Sequence, residues 1–95
     1  MKYTQTTLDK IEKLIGEAGY IVRYERGSFQ SGFCILEDKK VVVLNKFLQL
    51  EGRINTLIDL IPQLKIEEEA LSPESKKIFL DIMGKYLASR EGEEG

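Results

Sequence analysis

The sequence predicts an α+β domain: an N-terminal helix, a three-stranded antiparallel meander and two C-terminal helices packed on the sheet. Two observations carry this. Apolar residues recur at helical spacing before residue 20 and after residue 46, and alternate or run together in between. The strand-like segments are also consecutive, not interleaved with helices as in a Rossmann-type fold. Ninety-five residues supply one core. Residues 1–90 therefore read as a single domain and 91–95 as a short acidic tail.

The first helix is expected over residues 7–19, where Leu8, Ile11, Leu14, Ile15 and Ala18 fall on one stripe. Thr6 or Thr7 is its expected N-cap, and Gly19 the left-handed residue that closes it. From Tyr20 the period becomes two, with Tyr20, Val22 and Tyr24 alternating against Ile21, Arg23 and Glu25. Gly27-Ser28 breaks this strand. A second strand is expected from Gly32 to Glu37, a hairpin tip at Asp38-Lys39, and a third strand from Lys40 to Asn45. The unbroken Val41-Val42-Val43-Leu44 places that third strand inside the sheet or under helices, buried on both faces. Short connections make a meander the simplest arrangement.

Leu50, Ile54, Leu57, Ile58 and Ile61 restore the helical period, and Pro62 ends that helix. Glu67-Glu68-Glu69 lies in a solvated connector. Ser72-Pro73-Glu74 restarts a helix, with a capping serine, a proline at the first helical position and an acid suited to the dipole. Ile78, Phe79, Ile82, Met83, Tyr86 and Leu87 form its stripe, and Gly92 is its expected stop.

Composition removes several function classes. There is no histidine and one cysteine, which excludes a His general base, a His-ligated metal, a disulfide framework and a Cys-cluster zinc site. No cofactor or metal is expected. Cys34, flanked by Phe33, Ile35 and Leu36, reads as a buried inert thiol, since no imidazole is present to activate it. The formal charge of −2 gives no global pull toward nucleic acid. Residues 20–53 carry six basic against four acidic residues, but a weak charge and hairpins in place of a helix between strands disfavour an RNA-recognition sheet. No apolar run, residues 41–44 included, exceeds four residues, far below the ~18 residues of a membrane span. A polar N-terminus and an unpaired cysteine make the cytoplasm the expected compartment.

Gly27 and Gly32 have the spacing of a phosphate loop, yet Phe33 and Cys34 stand where the lysine and hydroxyl belong, so a structural turn is expected. The alternatives to a purely interacting surface are a weak RNA- or DNA-binding module and an anion-binding or enzymatic site at the hairpin mouth. Arg23, Tyr24, Arg26 and Ser28 are its candidate ligand-binding residues, because cations and hydroxyls beside a glycine turn suit an anionic small molecule. No catalytic residue is assigned.

The first helix, Ala18-Gly19-Tyr20-Ile21-Val22, the Ser31-Gly32 step, Val41-Val42-Val43-Leu44-Asn45 and the helix near Arg53 together resemble the N-terminal part of ImmA/IrrE-type zinc peptidases, over about residues 8–62. In that family a strand ending in Asn precedes a helix bearing H-E-x-x-H. Here the corresponding segment is Leu57-Ile58-Asp59-Leu60-Ile61-Pro62, with neither imidazole. The resemblance therefore implies a scaffold without the catalytic apparatus, and no functional residue carries over. Overall matches are expected among small bacterial proteins. The leading expectation is a non-enzymatic interaction or small regulatory protein. It would self-associate as a homodimer through the last helix or an open strand edge.

Overall fold

The computed structural model describes residues 2–28, 31–36 and 39–94, with the side chains of 33–36 and 86–94 outside the description. Helix α1 spans Gln5–Glu17. Its cap is Thr4, whose hydroxyl accepts from the Thr7 N–H at 3.2 Å, so the capping role sits earlier than Thr6 or Thr7. At the other end Gly19 takes φ +93°, and its N–H bonds the Gly16 carbonyl at 3.0 Å. The stripe Leu8, Ile11, Leu14 and Ile15 is fully buried.

Strands β1 (Tyr20–Glu25), β2 (Gly32–Leu36) and β3 (Lys39–Asn45) form one sheet in the order β1-β3-β2. The third strand is interior, one of the two placements its apolar run allowed, and this corrects the expected meander, whose middle strand would be β2. β3 lies parallel to β1, with Ile21 opposite Val41 and Arg23 opposite Val43, and antiparallel to β2. Sequence proximity favours hairpins only when a link is too short to step over a strand. Residues 26–31 must cross two strand spacings, about 10 Å, and an extended chain of that length reaches about 20 Å. The strand that carries the 41–44 run thereby gains hydrogen-bonded neighbours on both edges. Of the expected hairpin tip at 38 and 39, Lys39 already belongs to β3, while residue 38, like residue 37 at the expected end of the second strand, lies outside the described residues.

Helix α2 spans Leu50–Leu60 and passes into a 3₁₀ turn at Ile61–Gln63, where Pro62 removes the N–H that another α-turn would need. A second 3₁₀ turn, Glu68–Ala70, carries part of the exposed acidic run. Helix α3 spans Pro73–Glu94 and passes through Gly92, so the stop expected there is absent. Ser72 receives the Ser75 N–H on its hydroxyl at 3.4 Å. Its own N–H donates to the Glu17 carboxylate at 2.9 Å, tying the start of α3 to the end of α1.

The helices cover one face of the sheet. Tyr20, Val42 and Leu44 join Ile11, Leu57 and Ile82 in the core. The opposite face alternates out of phase: Ile21 is 53% exposed, and Val41 and Val43 are half-buried. Burial of β3 on both faces is thus corrected. Its apolar run reflects a central position in a two-layer fold, with no second helical layer among the described residues. No helix among these residues is long and apolar enough to cross a membrane.

Candidate functional site

The polar chemistry concentrates where β1 and β3 end side by side. Lys46 N–H donates to the Glu25 carbonyl at 2.8 Å, extending the parallel ladder past Asn45. The link from β1 to β2 crosses this end and is pinned by Asn45. The Asn45 N–H donates to the Ser31 hydroxyl at 2.9 Å and its side-chain amide to the Gly27 carbonyl at 2.8 Å. Its side-chain oxygen accepts from Phe47 N–H at 3.0 Å, an Asx-type turn that lifts the chain off the sheet. Phe47 stands at the tip, 71% exposed.

Beneath the turn, Arg53 of α2 donates from Nε to the Leu48 carbonyl at 2.9 Å and from a terminal nitrogen to the Lys46 carbonyl at 3.0 Å. Its guanidinium lies 4.7 Å from the centre of the Tyr24 ring. The Tyr24 hydroxyl in turn donates to the Glu12 carboxylate of α1. Burial, and then the Glu12 carboxylate, hold the Tyr24 phenol well above its ordinary pKa, so it stays protonated. Glu12, Tyr24 and Arg53 therefore form a chain that locks α1, β1 and α2 together. Its polar groups are consumed by one another and by backbone carbonyls.

The four sequence-selected residues do not converge. Tyr24 faces the helices, whereas Arg23 projects from the opposite face and pairs with Glu25 at 2.9 Å. Arg26 and Ser28 are exposed on the link beside Gly27, whose φ is +142°. The side-chain surroundings of Cys34 lie outside the described residues. Alternation along β1 already separates Arg23 from Tyr24. The residues that do assemble were harder to see. Asn45 carried a signal, as a turn-forming residue at a strand end. Glu12 and Arg53 looked like ordinary polar flanks of amphipathic helices.

Elsewhere, an open groove of about 360 Å³ runs between α1 and α3, with Ile11 and Ile78 in its floor and Lys10 and Lys77 at its rim. It lies on the helical side, away from the strand ends. Among the described residues no group of three or more potential metal ligands is gathered. No family model matches the chain, and no curated protein or solved structure matches it.

Proposed function

We propose that the chain is a non-enzymatic cytoplasmic interaction module that works through the uncovered face of its sheet. One observation carries this reading: Ile21 is 53% exposed beside half-buried Val41 and Val43, on a face that no helix among the described residues covers. Leaving Ile21 and the open parts of these valines in water forgoes stabilisation that a partner surface recovers. The polar clusters point the same way. Glu12, Tyr24, Arg53 and Asn45 are spent on holding elements together. Enzymatic sites instead aim such groups into a shared cavity. The strand order β3, Asn45, α2 accords with a scaffold kinship to ImmA/IrrE-type peptidases, with positions 57–62 lacking imidazoles.

The test is site-specific photo-crosslinking in cells, with a benzoylphenylalanine placed at Ile21 and, as a control, at Glu69 in the exposed acidic run. Discrete adducts at position 21 and none at 69 are expected. Equal labelling at both positions, or none at 21, overturns the proposal.

A further inference from the structure

The open edge of β1 has the hydrogen-bonding direction and the charge order to pair with itself. Among the described residues β1 bonds β3 on one side only, and no strand follows it in the sheet order. The Lys46 N–H reaches the Glu25 carbonyl, which fixes the phase of the ladder. In a parallel pair the backbone groups of alternate residues turn toward the neighbour. Glu25, Arg23 and Ile21 therefore direct theirs at β3, and Val22 and Tyr24 direct theirs outward. No proline or bulge protects this stretch, and the side chains of Arg23 and Glu25 are 61% and 47% exposed.

We propose that two copies of this chain associate through β1, antiparallel about a two-fold axis at Tyr24, into one six-stranded sheet. The proposal rests on the interaction-module reading and names its partner as a second copy. Charge selects the register. With Tyr24 opposite Tyr24 of the second copy, Arg23 stands directly opposite Glu25 of the second copy, and the symmetry makes that pair twice. A slide of two residues puts Arg23 opposite Arg23, which like charge disfavours. A further slide of two needs the Tyr20 end of the strand. There Tyr20 is 3% exposed and its hydroxyl receives the Lys65 N–H at 3.0 Å. In the selected register the two uncovered faces also become continuous, carrying Ile21, Val41 and Val43 of both copies on one surface.

Sedimentation velocity on the full chain tests this with paired charge variants, each checked for folding by circular dichroism. The wild type is expected to sediment as a dimer. Arg23→Glu alone and Glu25→Arg alone each weaken association by about tenfold or more, because like charges then face each other twice. An equimolar mixture of these two variants, and the double variant R23E/E25R, regain the dimer. A monomeric wild type, or single variants that dimerise as well as the wild type, overturns the pairing. A monomeric wild type that still forms discrete Ile21 adducts with another protein overturns this pairing alone. A charge-dependent dimer whose position-69 probe labels as strongly as position 21 overturns the face reading alone.

Discussion

The backbone N–H of Asn45 donates to the hydroxyl of Ser31 at 2.9 Å, closing the β1–β2 link over the end of the strand it crosses. With the Gly27 carbonyl and the Phe47 N–H also held by the Asn45 side chain, one residue secures both the crossing link and the turn into α2.

Asn45→Ala removes the side-chain bonds to Gly27 and Phe47 at a half-buried position and is expected to lower unfolding free energy by about 1–2 kcal/mol. Asn45→Asp keeps an acceptor for Phe47 and loses the donor to Gly27, so it should fall between. Urea unfolding of the three proteins measures the order.

Tyr24→Phe retains the ring beneath Arg53 and deletes the bond to Glu12, costing about 1 kcal/mol. The pH dependence separates this bond from packing. The folded-state pKa of Tyr24 is raised above the ordinary value near 10, so its contribution is fully present below pH 10. The contribution is lost as pH rises beyond that, because the unfolded chain then releases the proton first. Stability of the wild type should decline above pH 10 more steeply than that of Tyr24→Phe.

Glu17 behaves in the opposite sense. The Ser72 N–H, then the Ser75 hydroxyl, hold its carboxyl below the ordinary value of 4.5. Its contribution is present above that value and is lost as pH falls through the lowered folded-state pKa. Glu17→Gln should flatten the acid limb of the stability–pH curve, read by thermal unfolding across that range.

Two glycines should respond to alanine with opposite signs. Gly19 has φ +93°, where a side chain is strained, and Gly19→Ala is expected to cost about 1 kcal/mol or more. Gly84 lies within α3, and a Cβ there meets nothing within 4 Å. Gly84→Ala is expected to stabilise by about 0.5–1 kcal/mol, because it restores helix propensity at an open position. Denaturant midpoints of the two variants decide both.

Local pattern made the helices legible. Leu8, Ile11, Leu14 and Ile15 repeat at helical spacing, and they occupy the core in that spacing. Gly19 and Ser72 mark termini because their roles depend only on neighbouring backbone groups. The Glu12–Tyr24–Arg53 chain was not legible, since its members come from three elements and each is unremarkable on its own helix or strand.

The amino-acid order determined the elements and the lack of imidazole chemistry, properties of spacing and composition. Only the tertiary structure decided that β3 is central and parallel to β1, that no helix of the described residues covers one sheet face, and that Arg23 and Tyr24 part company. Periodicity specifies which side of a strand is apolar. Which strand lies beside it depends on how far links reach and on which arrangement gives the strand 41–44 two hydrogen-bonded neighbours.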